Sequence, residues 1–140
     1  MASVDEHIPI PVSADEAWPL LRDFGAIHEW APPIADADVT GEGVGAERTL
    51  TLADGGQVVE RLEALDDESR TLRYVIVESP LPVEGYEGTL SVRAVDATSC
   101  EVTWASTFEV DGAPAEEMVA TFAELYTAGL SGLRTHLTGG

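Results

Sequence analysis

Apolar and polar residues alternate with period two through the middle of the chain and recur every three to four residues at its end. That change of period predicts a meander of strands closed by a helix. Along Val58-Val59-Glu60-Arg61-Leu62-Glu63-Ala64-Leu65, one strand face takes Val58, Glu60, Leu62 and Ala64, and the other takes Val59, Arg61, Glu63 and Leu65. After the acidic turn Asp66-Asp67-Glu68-Ser69, the next strand puts Tyr74, Ile76 and Glu78 on one face and Arg73, Val75 and Val77 on the other. Parity alone leaves open which face is inside. Glu60 and Glu78 nevertheless fall on faces that otherwise carry apolar and aromatic residues, a pattern that suggests a hollow core.

The remaining punctuation fixes the order of elements. Val4 to Ile10 reads as an opening strand ended by Pro11, which cannot donate to a ladder. Ser13-Ala14-Asp15-Glu16 is a capping box that starts a helix running to about Phe24, with Pro19 in its first turns, where a missing donor costs least. Ala26 to Trp30 reads as a second short helix stopped by Pro32-Pro33. Breakers at Gly41-Glu42-Gly43, Asp54-Gly55-Gly56, Asp66-Asp67, Gly85 and Asp96-Ala97-Thr98 then separate strands near Val39 and over Arg48–Leu52, Gln57–Leu65, Thr71–Val77, Tyr86–Val95 and Glu101–Val110. Pro114 and Ala115 open a long helix in which Met118, Phe122, Leu125, Tyr126, Leu130, Leu133 and Leu137 form one apolar face. A strongly curved sheet wrapped around that helix covers the face and leaves space that side chains need not fill. Gly129 and Gly132 each weaken the helix by roughly 1 kcal/mol relative to alanine, so close packing or a bend is expected there.

Length and charge narrow the function classes. The 140 residues form a single domain, 1–140, large enough for a core and an enclosed cavity. The net charge of −19, from 26 acidic residues against seven arginines and no lysine, disfavours nucleic acid and anionic membranes as partners. Apolar stretches are too short for a membrane span, so no membrane insertion and a cytoplasmic location are expected. Cys100 cannot form an internal disulfide and reads as structural. His7, His28 and His136 show no metal-ligand spacing, and no phosphate loop, nucleotide fingerprint or nucleophile elbow is present, so neither metal nor cofactor is expected. Monomer and homodimer remain equally open.

The run Glu60-Arg61-Leu62-Glu63-Ala64-Leu65-Asp66-Asp67-Glu68, followed by Tyr74-Val75-Ile76 and Pro80-Leu81-Pro82-Val83-Glu84-Gly85-Tyr86, resembles the central hairpin and gating loop of the START/Bet v 1-like (SRPBCC) superfamily. The likeness is to its polyketide cyclase/dehydrase branch and to the plant abscisic-acid receptors. It implies an α+β helix-grip fold, with a seven-stranded curved antiparallel sheet around a long C-terminal helix and two short helices after the first strand. It also implies a cavity for a small hydrophobic ligand. The receptors' cavity lysine, gate histidine and last-helix asparagine correspond here to Ala31, Leu81 and Leu130, so the hormone's anchors are missing. A more apolar pocket suits an aromatic polyketide, lipid or isoprenoid fragment.

On that resemblance Glu60 lines the cavity; the alternative is a sheet-edge glutamate reaching solvent. Desolvation in a cavity would raise its pKa, the condition for a general acid or base. Arg48 shares a face with Leu50 and Leu52 and is either a surface arginine or a cationic fork for an oxyanion, paired with Glu60 when no ligand is bound. The expected catalytic set is Glu60, Tyr74 and Arg48. The ligand-binding set is Leu50, Leu62, Ile76, Glu78, Tyr86, Leu90, Trp104, Ser106 and Phe108 from the strands and Phe122, Tyr126 and Leu130 from the last helix. Trp30 is added at the mouth, and Leu81 as an apolar latch in a loop Ser79–Gly85 that is either a gate or a plain hairpin connection. A filled core and a cavity share this apolar signature. The leading expectation is hydrophobic ligand binding. The rivals are a polyketide cyclase/aromatase or dehydratase using Glu60 as acid or base, and a ligand-free interaction or stress-response domain.

Overall fold

The structure, a computed structural model, describes residues 1–139. The chain opens with β1 (Ala2–Ile10), passes through two helices, α1 (Ala14–Arg22) and α2 (Ile27–Trp30), and enters the meander. Its strands are β2 (Ile34–Thr40), β3 (Glu47–Leu52), β4 (Gln57–Asp66), β5 (Thr71–Glu78), β6 (Val83–Asp96) and β7 (Ser99–Val110), and α3 (Ala115–Thr138) closes the chain. All neighbours pair antiparallel in the order β1-β7-β6-β5-β4-β3-β2. The fold is the helix-grip architecture: α3 lies across the inner face of the seven-stranded sheet, and α1 and α2 close one end.

Local chemistry accounts for the helix ends. Ser13 Oγ accepts the Glu16 amide at 3.2 Å, the first half of the capping box, but the returning bond from the Glu16 side chain is not made. α1 stops at Arg22, two residues short of the expected Phe24, because Asp23 turns extended. It is fastened to the β4–β5 turn instead, where Asp67 Oδ1 accepts from Trp18 Nε1 at 2.8 Å and from Arg22 Nε at 2.7 Å. These donors hold the Asp67 carboxyl below its ordinary pKa.

Three β-bulges correct the parity reading. At Glu63 on β4, Leu62 pairs with Tyr74 but Ala64 with Arg73, so Leu65, opposite the buried Leu72, takes the inner side expected of Ala64. Val59 pairs with Glu78 and Glu60 with Ile76, so Val77 is an extra residue on β5. The bulge turns Glu78 to the exposed outer face, away from the cavity side where the expected alternation put it. On β6, Glu84 pairs with Glu109 and Glu87 with Thr107, leaving one extra residue beside Gly85, whose φ of +62° suits glycine. The strand thus begins at Val83, and the irregular connection shrinks from the expected Ser79–Gly85 to residues 79–82.

The inner face holds the core. Leu72, Leu90, Val102 and Phe108 from the sheet and Leu130 and Leu133 from α3 are almost wholly buried, each worth about 1.5–3 kcal/mol by removal from water. The two helix glycines are contact points rather than bends. A side-chain carbon on Gly129 would lie 2.7 Å from Trp104 Cζ3, and one on Gly132 would collide with the Trp30 carbonyl and Pro32. Close packing of this kind outweighs the propensity cost of glycine in a helix.

Candidate functional site

Arg48 on β3 and Glu60 on β4 are directly opposite in the strand register and both point inward, each nearly inaccessible to solvent. Arg48 Nε donates to Glu60 Oε1 at 2.8 Å. Nη2 lies 2.7 Å from the same oxygen without hydrogen-bond geometry, so that contact is Coulombic. Nη1 donates to the Phe24 carbonyl at 3.0 Å, and the guanidinium carbon sits 3.9 Å above the Phe24 ring and 5.2 Å from that of Tyr74. Burial pushes the Glu60 carboxyl up, and the attraction and hydrogen bond of Arg48 pull it part of the way back.

Beside this ion pair runs a chain of buried hydroxyls. Trp104 Nε1 donates to Tyr74 Oη at 2.9 Å; Tyr74 and Tyr86 hydroxyls lie 3.0 Å apart; Tyr86 and Tyr126 hydroxyls are bonded; Tyr126 Oη donates to Ser106 Oγ at 2.8 Å. Tyr74 takes its place because Gly88, opposite it on β6, has no side chain: a Cβ there would lie 2.6 Å from Tyr74 Cε1. Burial first, then neighbouring Glu60, raises the Tyr74 pKa; burial and neighbouring tyrosines hold Tyr86 and Tyr126 well above ten. All three are therefore neutral phenols in ordinary buffers. Their rings pack into the aromatic core, with Trp104 stacked on Tyr126 at 4.4 Å and Tyr86 tilted against Phe122 at 5.2 Å.

Glu60, Tyr74, Tyr86 and Tyr126 border a cavity of about 40 Å³ between the sheet and α3. At roughly 10–15 Å³ for each water by this measure, that is space for about three waters. Outside it an open apolar cleft of about 510 Å³ lies between the β3–β4 turn, residue 81 and α3. Leu52, Leu81, Phe122 and Leu125 border both spaces and form the partition between them. Among the described residues, no group of three or more metal-ligating side chains occurs, and no helix is long and apolar enough to cross a membrane.

A family model described as "Polyketide cyclase / dehydrase and lipid transport" matches residues 1–138. The chain belongs to that family. No curated protein matches it. Among solved structures, it is similar to the protein XoxI from Bacillus cereus, with 29% identity, a TM-score of 0.92, and coverage of 99% of this chain and 96% of that one. An uncharacterized protein from Bacillus thuringiensis is 28% identical, with a TM-score of 0.91 over 98% of this chain and 99% of the other. The Zhui aromatase/cyclase from Streptomyces sp. R1128 superposes with a TM-score of 0.85 over 97% of this chain and 93% of its own. At 19% identity, that likeness concerns the fold alone.

Within this family member, the expected site residues divide into four groups. Glu60, Tyr74, Leu50, Ile76, Leu81, Tyr86, Trp104, Phe122 and Tyr126 line the cavity. Arg48 and Ser106 stand one layer behind, bonded to Glu60 and Tyr126. Leu62, Leu90, Phe108 and Leu130 belong to the filled core instead, and Trp30, expected at the mouth, is buried with its ring edge-on to Trp104 at 5.8 Å. Glu78 is on the outside. The cavity also takes in Ile27, Ile34, Leu52, Val58 and Leu125. Strand parity carried a signal for Leu52 and Val58, and helix periodicity for Leu125. Nothing in the local pattern marked Ile27 or Ile34, which reach the cavity from the start of α2 and the start of β2.

Proposed function

We propose that this protein binds a small hydrophobic molecule between its sheet and α3, the ligand passing from the open cleft into the inner cavity as Leu52, Leu81 and Leu125 move aside. The observation that carries this reading is the buried Arg48–Glu60 pair, whose Glu60 borders a cavity lined mostly by apolar and aromatic side chains. A buried ion pair contributes little net stability compared with well-packed apolar residues, so its presence beside a cavity speaks for recognition rather than for folding. The closed volume of about 40 Å³ is too small for a polyketide or lipid, so binding requires displacement of the partition. Native mass spectrometry of protein purified gently from its own host tests the reading. A stoichiometric hydrophobic mass released on denaturation supports it, and an empty protein whose melting temperature ignores apolar ligands favours a ligand-free interaction domain.

A second reading, cyclase or dehydratase chemistry on a poly-β-ketone, is favoured by one feature: a cavity-lining carboxyl with a raised pKa, suited to take a proton from between two carbonyls. On this reading Glu60→Gln abolishes turnover and leaves binding intact. Turnover by that variant at the parental rate eliminates Glu60 as the base.

A further inference from the structure

Resting on the binding reading above, a count of hydrogens narrows the ligand. Each tyrosine hydroxyl has one proton to give. Tyr126 gives its own to Ser106, so the Tyr86–Tyr126 bond uses the proton of Tyr86, and the Tyr74–Tyr86 bond uses that of Tyr74. Tyr74 in turn accepts from Trp104 Nε1. The hydroxyl protons thus run one way along the chain, and the one left over belongs to Ser106, which does not border the cavity. Arg48 does not border it either: Nε and Nη1 are bonded to Glu60 and Phe24, and Nη2, which makes no hydrogen bond, is buried against Glu60 Oε1. On the acceptor side the count is different. Both close contacts from Arg48 fall on Oε1 of Glu60, and Oε2 has no hydrogen-bond donor among the described residues. Because arginine does not give up its proton, a neutral Glu60 would leave a buried guanidinium without a counter-charge, which keeps the pair ionised near neutrality.

We infer that the cavity presents acceptors only, Glu60 Oε2 foremost, and selects an apolar molecule carrying an N–H or O–H donor, such as an indole, phenol, alcohol or amine, over ketones, ethers and carboxylates. A ligand donor completes the carboxylate, whereas a ligand carbonyl meets no uncommitted hydroxyl proton among the residues that line the cavity. An anionic ligand also faces Glu60 within a chain of net charge −19.

Matched bicyclic probes test this on the full chain. Indole, benzofuran and 1-indanone share a ring outline but offer a donor, a weak acceptor and a ketone. Binding is followed by the amide and indole N–H resonances of uniformly 15N-labelled protein, the Trp104 signal marking occupancy of the inner cavity. Indole is expected to bind at least tenfold more tightly than benzofuran, although apolar burial alone ranks the two alike. In Glu60→Gln, the amide oxygen takes over Arg48 and the amide N–H faces the cavity, so the ranking should turn over in favour of 1-indanone. Equal affinities with Trp104 shifted in every case would overturn the donor rule while leaving the binding reading intact. No perturbation of Trp104 by any probe would overturn both. If the glutamine variant does not fold, the ranking on the parental chain decides alone.

Discussion

Replacing Arg48 with methionine removes the counter-charge of a carboxylate that is only about 6% exposed, and also strips the Phe24 carbonyl of its donor at 3.0 Å. Breaking one side of a buried ion pair typically costs about 3–5 kcal/mol, since the remaining charge must be protonated, hydrated or exposed. A chain of this size has a total stability on the order of 5–15 kcal/mol, and each kcal/mol moves its melting temperature by about 3 °C. Arg48→Met is therefore expected to lower the melting temperature by on the order of 10–15 °C. Glu60→Leu alone leaves the guanidinium stranded and should cost a similar amount. The double variant Arg48→Met/Glu60→Leu replaces both with apolar groups and should return to within about 1 kcal/mol of the parent, or exceed it. Urea unfolding of the four proteins at pH 7 closes the cycle and reads the coupling directly. Single costs below about 1 kcal/mol that simply add in the double variant would refute the reasoning, because they would mean that both side chains are solvated.

Other expectations concern close contacts and protonation. Gly88→Ala drives a methyl group into the Tyr74 ring and should destabilise by about 1–3 kcal/mol, as overpacking does, while shifting the Trp104 indole resonance; an unperturbed spectrum would show that Tyr74 has another place to go. Gly132→Ala gains about 1 kcal/mol of helix propensity but meets the fixed Trp30 carbonyl, so calorimetry should find it less stable than the parent, and a higher melting temperature would contradict the packing. Because the folded carboxyl of Glu60 is raised above 4.5, its contribution is present below that pH and fades as pH rises through the folded value. The stability of the parent relative to Glu60→Gln should accordingly fall as pH rises above 4.5, and a gap that grows instead has the wrong sign.

The sequence carried the sheet, and which residues share a face with Arg48 and Glu60, because short-range rules reach that far; that this face is the inner one came from the family resemblance. Arg48 and Glu60 lie on opposed positions of β3 and β4, where the pairing runs without interruption, so strand parity from Val58 and Leu50 transfers directly to them. The same rule misplaced Glu78 two residues beyond Ile76, because the bulge at Val77 is set by pairing with β4 and leaves no mark in the alternation. Gly85 was visible as a breaker, yet a breaker and a bulge share the residue, and only the pairing of Val83 and Glu84 with β7 tells them apart. Gly129 and Gly132 announced close packing, but the partners Trp104 and the Trp30 carbonyl come from elements far away in the chain. Volume was the least readable quantity. Phe108 and Phe122 have the same apolar signature, and only their packing puts one in the filled core and the other at the cavity wall.

The energetic logic of the site follows from that difference. Apolar side chains along the inner faces of β3 and β4 would suffice to hold α3 against the sheet, and leucine at positions 48 and 60 would avoid the desolvation of two charges. What an apolar pair would not supply is a carboxylate oxygen turned to the one space behind Leu52, Leu81, Phe122 and Leu125. That space is small when closed, so on the proposed binding reading moving the partition would sacrifice apolar contacts that a ligand must replace by burying apolar surface of its own, and the net gain from burial would be modest. Discrimination then falls to the polar groups at the end of the path, where an unmatched hydrogen-bonding partner costs more than a missing apolar contact. On the proposal above, a cavity whose hydroxyl protons are already committed along Tyr74, Tyr86 and Tyr126 would make that discrimination one-sided, with Glu60 as its pivot.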